Sequence, residues 1–107
     1  MSGTVYLICD PDSDTYKIGV TKRNVNERLK ELQTGNSSEL FVVHTFESKD
    51  PYRLEQMLHN RFKLKGALNE WFSLDNEDIT GFMDICRKTE EIMKSLSDNV
   101  FFARKYK

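Results

Sequence analysis

The sequence is poor in cysteine. Only Cys9 and Cys86 occur, and no CxxC pair exists. Two isolated thiols predict neither a zinc site nor a disulfide framework. Long apolar runs are missing too, so no segment meets the length of a membrane-spanning helix. The opening MSGTVYLICD has no basic region followed by a long apolar run, which is the pattern of a secretory leader. The expected location is therefore a reducing cytoplasm. An excess of one charge sign is also absent: 16 basic and 17 acidic residues give a formal net charge of −1. Such a chain does not attract nucleic acid as a whole, and a nucleic-acid surface would have to come from local clustering. There are no repeats and no low-complexity tract.

What is present suits one globular domain covering residues 1–107. Hydrophobic residues make up 38% and charged residues 31%. A chain of this length buries roughly two thirds of its unfolded surface, enough for one modest core. Residues 4–9 and 15–21 predict two strands. The turn between them, Asp10-Pro11-Asp12-Ser13-Asp14, holds the residue types that start turns by bonding their own backbone. With the turn centred between Asp12 and Ser13, Cys9 faces Tyr16, Ile8 faces Lys17, Leu7 faces Ile18 and Tyr6 faces Gly19. Alternation then puts Val5, Leu7, Cys9, Tyr16, Ile18 and Val20 on a dry face. Tyr6, Ile8, Lys17 and Gly19 share the other face. A glycine opposite a tyrosine leaves a notch, where the phenol points into an open groove or a ligand approaches the backbone.

Residues 25–33 predict a helix with Val25, Leu29 and Leu32 as its buried stripe. Asn24 and Glu27 have capping-box spacing, and Gly35 ends the segment. Residues 39–47 predict a third strand. Pro51 suits the first position of a helix over 51–64, with Leu54, Leu58 and Phe62 on one face. A short strand or turn follows near Glu70-Trp71-Phe72. Asp75 or Asn76 caps a last helix over about 77–96, with Ile79, Phe82, Met83, Ile85, Cys86 and Ile92 inward. The tail 99–107 is apolar, then basic, and its role is open between docking and pairing with a neighbour. Hairpins imply antiparallel pairing, and the helices must cover the sheet. The expected fold is a compact α+β domain with an antiparallel sheet of about three strands, its core spanning about 4–74.

The quoted segments, taken in order, resemble the GIY-YIG nuclease superfamily. TVYLI and YKIGVT are similar to its two half-motifs, with Tyr6 in the first and Lys17-Ile18-Gly19 in the second. Arg28 in ERLKELQTGN and Glu55 in RLEQMLHNRF match its arginine and its metal-binding glutamate. NEWF, residues 69–72, resembles a phage- and virus-rich branch marked by KIG, RLxxLQTGN, ExxLH and EWF. The resemblance implies hydrolysis of DNA phosphodiesters with one divalent cation, Mg²⁺ or Mn²⁺. Glu55 would be the metal ligand, since a carboxylate is a hard oxygen donor. Arg28 would grip a phosphate with its planar fork. Tyr6 would activate or orient water, helped by a neighbouring cation because a free phenol titrates near pH 10; Lys17 is the candidate. His59, one turn after Glu55, would contact metal-bound water or phosphate, or protonate the leaving group. Gly19, Lys22, Arg23 and Asn69 complete the expected substrate contacts, with Glu70 as an alternative to Asn69.

Two positions depart from the superfamily. Lys17 stands where it usually has tyrosine, and Leu32 where many members carry histidine or tyrosine. Plainer roles compete at several sites. Arg28 can pair with Glu31 or Glu27 on the helix surface. His59 can be a packed imidazole, and His44 is expected to be structural. Trp71 is expected in the core. Basic residues concentrate in 15–34 and 58–66, acidic ones in 75–91, so the basic segments are those carrying the expected site. Three functions follow: a metal-dependent DNA endonuclease of phage or mobile-element type, a nucleic-acid-binding module with weak or lost cleavage, and a protein–protein interaction domain. A homodimer or a partner supplying specificity fits a chain with little room for a separate DNA-reading unit.

Overall fold

The computed structural model describes residues 2–98. The tail 99–107, expected to dock or to pair, lies outside the described residues. Strand β1 (Gly3–Asp10) turns back into β2 (Thr15–Thr21). The pairing is the one that the turn chemistry predicts: Cys9 with Tyr16, Ile8 with Lys17, Leu7 with Ile18 and Tyr6 with Gly19. Asp10 accepts the Asp12 backbone N–H at 3.1 Å, and Asp14 takes φ 54°, a left-handed value that a short polar residue tolerates.

Helix α1 (Val25–Thr34) follows, capped by Asn24, whose side chain accepts the Asn26 N–H. Strand β3 (Phe41–Ser48) pairs with the free edge of β1, with a register shift between Leu7 and Ile8. Helix α2 (Pro51–Arg61) starts at its proline and runs into a 3-10 turn, Lys63–Lys65, so the regular helix is shorter than the apolar spacing predicts. Two short strands, β4 (Gly66–Leu68) and β5 (Trp71–Phe72), then extend the sheet beyond β2. The sheet therefore has five strands in the order β3-β1-β2-β5-β4, not about three. The difference is this small hairpin. Its Asn69, at φ 57°, supplies the left-handed turn residue.

The last helical stretch is also not one helix. It divides into α3 (Asn76–Thr80) and α4 (Phe82–Asp98) at Gly81, whose N–H caps α3 on Glu77 and Ile79. Asp75 and Asp78 form a reciprocal capping box at the start of α3. In α4, Phe82, Cys86 and Met93 are buried, whereas Ile92 is exposed. Met93 takes the inward place expected of Ile92, because Phe82, Cys86, Thr89 and Met93 share one face of α4 at helical spacing and Ile92 falls off it. Burial pushes the Cys86 thiol up to about 12.

Both faces of the sheet are covered. On one face Val5, Leu7 and Ile18 pack with Leu54, Leu58 and Phe62 of α2 and with Phe82, Cys86 and Met93 of α4. On the other, Tyr6, Ile8 and Leu40 pack with Val25, Leu29 and Leu32 of α1 and with Val42 and Trp71. β1 thus feeds alternate residues into two separate cores. This overturns the open groove expected on the Tyr6 face: the apolar stripe of α1 closes it. His44 is structural, as expected, donating from Nε2 to the Ile79 carbonyl at 2.9 Å and stacking on Phe82.

Candidate active site

The tripeptide Lys17-Ile18-Gly19, in the middle of β2, is where the candidate residues meet. Gly19 is required by space. A Cβ there would lie 2.3 Å from the Tyr6 hydroxyl oxygen and 2.4 Å from Cζ, so the tyrosine ring fills the notch. Tyr6 is 1% exposed. It lies across Gly19 rather than projecting into an open groove.

The Ile18 peptide is held from both sides. Its N–H donates to the Glu70 carbonyl at 3.3 Å, and its carbonyl accepts His59 Nε2–H at 2.8 Å. That bond spends one imidazole nitrogen on the backbone, and the ring rests edge-on against Phe72. His59 is thus an anchor between α2 and β2, with only Nδ1 left for other work.

Lys17 is buried, an unusual place for an ammonium. Its charge is met by Glu70, with Nζ 3.1 Å from Oε2, and by the Trp71 ring, whose centroid is 5.8 Å away. Glu70 and Trp71 belong to the hairpin missed in the strand count. Asn69 beside them is exposed and serves the turn. Within the NEWF segment it is Glu70 that pairs with Lys17, and Trp71 borders the site as well as the core.

The cation at the phenol is Arg28. Its Nε donates to Tyr6 Oη at 3.3 Å. Burial raises the phenol above its ordinary value, while Arg28 opposes the shift through its hydrogen bond and charge. Glu70 and Glu55 raise it further, so both carboxylates lie within electrostatic reach of the hydroxyl. Arg28 also reaches Glu31, with Nη1 3.2 Å from Oε1. The same carboxylate receives Arg23 Nη2 on both oxygens at 2.7 Å. Lys22, next in the chain, sits over the Tyr52 ring at 5.4 Å.

Glu55 projects from α2 and is only partly exposed. Burial raises its carboxyl above the usual range; His59 lowers it, Glu70 raises it and Lys17 lowers it. No described residue hydrogen-bonds this carboxylate. A half-buried carboxylate with its oxygens unspent fits a hard divalent cation as a single protein ligand. No group of three or more His, Cys, Asp or Glu able to hold a metal occurs among the described residues, so water and substrate oxygen would complete the coordination.

The structure therefore brings Tyr6, Arg28, Glu55, Lys17 and His59 into one neighbourhood. Lys22 and Arg23 lie at its rim. Lys17, expected as the helper of the phenol, belongs to the Glu70 side. Leu32 packs against the Tyr6 core, which explains an apolar residue there. Glu70 and Glu31 are the partners that sequence patterning underweighted. The spacing of Arg28 and Glu31 signals only a helix-surface pair, and the Arg23 contact spans eight residues. Among the described residues, no helix is long and apolar enough to cross a membrane.

The T5orf172 domain model matches residues 3–87, most of the chain. No curated protein and no solved structure matches it.

Proposed function

We propose, from the premise that the chain belongs to the T5orf172 domain family, that it is a divalent-metal-dependent DNA endonuclease of GIY-YIG type. That family is a nuclease-like, DNA-binding one with phage links, which supports nucleic acid as the ligand. The observation that carries the reading is the shared field of Tyr6, Arg28 and Glu55. The phenol takes a hydrogen bond from Arg28 and feels the Glu55 charge, although these residues lie on β1, α1 and α2. Separate elements would not converge on one polar spot within an apolar domain for packing alone.

Phosphodiester hydrolysis needs a positioned nucleophile and compensation for charge developing on phosphate. Arg28 supplies a cation at the phenol, with its Nη1 on the partly exposed Glu31 carboxylate. Tyr6 orients water through its hydroxyl, and the guanidinium partly offsets the rise that burial imposes on the phenol. A Mg²⁺ or Mn²⁺ ion held by Glu55 supplies Lewis acidity when bound. His59 keeps α2, and so Glu55, in place against β2. Lys17 offsets the negative charge of Glu70 and Glu55.

Supercoiled plasmid incubated with the protein and Mn²⁺ or Mg²⁺ tests the reading. Nicking is expected, lost in Glu55→Ala and reduced about 10²–10⁴-fold in Tyr6→Phe. Metal-independent nicking, or full activity in Glu55→Ala, overturns it. A second reading, a nucleic-acid-binding module with weak cleavage, is favoured by the burial of Tyr6 and by the Lys17–Glu70 pair at the superfamily's second tyrosine position. Salt-sensitive binding without nicking selects it. A dimer through the apolar tail stays a third proposal, tested by sedimentation of the full chain.

A further inference from the structure

The most accessible charge cluster of the site is the bridge Arg23–Glu31–Arg28. One carboxylate serves two guanidiniums. Arg23 Nη2 reaches both oxygens at 2.7 Å and Arg28 Nη1 reaches Oε1 at 3.2 Å. Arg28 has a second side-chain partner, and Arg23 is held at its backbone. Arg28 Nε is fixed on the Tyr6 hydroxyl, and the Arg23 backbone N–H donates to Thr21 Oγ1 at 3.1 Å. The outer guanidinium nitrogens of both residues therefore meet on one Glu31 carboxylate, with Arg28 held from behind by Tyr6.

A phosphodiester resembles that carboxylate. It carries one negative charge and two unesterified oxygens, matched to the same forks. The bridge is partly solvated, with side-chain exposures of 56%, 43% and 35% for Arg23, Glu31 and Arg28. Ion pairs this open are weak, so exchanging the internal anion for an external one costs little. A cleft of about 420 Å³ opens beside Arg23, lined by Asn24, Asn26 and Thr45 together with apolar Val42 and the acidic Glu47. It offers a path for the strand on either side of the phosphate.

We infer that Glu31 occupies a phosphate site between Arg23 and Arg28, and that a backbone phosphate of bound nucleic acid displaces it. This rests on the nucleic-acid reading above. Glu31 is then a gate: it neutralises the two arginines in the free protein and sets a threshold that a polyanion must exceed. A lone small anion competes poorly, whereas a strand that also engages neighbouring basic residues does not.

The test measures binding of a labelled 20-base-pair DNA duplex by fluorescence anisotropy, without divalent metal, from about 50 to 200 mM salt. Wild type, Glu31→Gln and Glu27→Gln are compared. Glu27 is exposed on the same helix, one turn away, so its variant removes the same charge without opening the bridge. Glutamine keeps helix propensity in both. Glu31→Gln is expected to bind about three- to tenfold tighter at low salt, with a salt slope steeper by about one, because no internal carboxylate must recapture a counterion. Glu27→Gln is expected to change affinity less than about twofold. Equal affinity of Glu31→Gln and wild type overturns the gate and leaves the nucleic-acid reading standing. An equal gain in both variants also overturns it, since charge alone would explain the effect. No salt-dependent binding by any of the three proteins overturns both.

Discussion

Gly19 marks the closest approach in the site, and its replacement is the sharpest residue-level test. In Gly19→Ala the new methyl meets both the hydroxyl and ring carbons of a buried tyrosine. The ring must leave, which is expected to cost about 1–3 kcal/mol in denaturant unfolding. Adding Tyr6→Phe should not restore stability, because Cζ at 2.4 Å stays in the way. Glu55 gives a pH-dependent counterpart. Its carboxyl is raised in the folded state, chiefly by burial. The folded protein therefore holds that proton more tightly than the unfolded chain. The associated stability is intact below the unfolded pKa and is lost as pH rises through the folded one. Glu55→Gln removes the loss. Its melting temperature is expected to match wild type near pH 4 and to exceed it by about 2 °C at pH 7, the scale of a few tenths of a kcal/mol. Mn²⁺ should raise the melting temperature of wild type but not of the variant. The sequence exposes these residues by type and order. It cannot show that Lys17 is buried against Glu70, because that contact spans 53 positions.

Elements were legible where local chemistry and apolar period agree. The β1–β2 register follows from an acidic turn and alternating strands, and every predicted pair is present. α1 and the start of α2 follow from Asn24 and Pro51. Of the β4–β5 hairpin only a short strand or turn near Glu70-Trp71-Phe72 was legible, because strands of 3 and 2 residues carry no period. The division of the last helix escaped for a different reason. Ile79, Phe82, Met83 and Cys86 fit one continuous stripe, and only Gly81 with the Asp75–Asp78 box marks the stop. Asp75→Ala removes that cap and a contact to Lys65 at 3.2 Å. A loss of about 1 kcal/mol is expected in thermal or chemical unfolding. Nicking per folded molecule should be unchanged, since α3 lies outside the Tyr6–Arg28–Glu55 group.

Across the whole molecule, one sheet separates two apolar cores, and the polar site is seated where α1, α2 and the β4–β5 hairpin reach β2. This layout explains why net charge is a poor guide. The chain is nearly neutral, yet Arg23, Arg28, Lys22 and Lys17 gather around one strand and its following turn. Several of them are already partnered by Glu31 and Glu70. Binding to DNA is accordingly expected to weaken steeply as salt rises, and more steeply once Glu31 is neutral.

Tyr6 is also the largest side chain sealed in its core. With or without nuclease activity, the fold needs an aromatic of that size over Gly19. The tyrosine would outlast the chemistry, as a keystone outlasts the use of its building. Its presence in a relative would therefore certify the architecture alone, and a claim of cleavage would have to be won at Glu55.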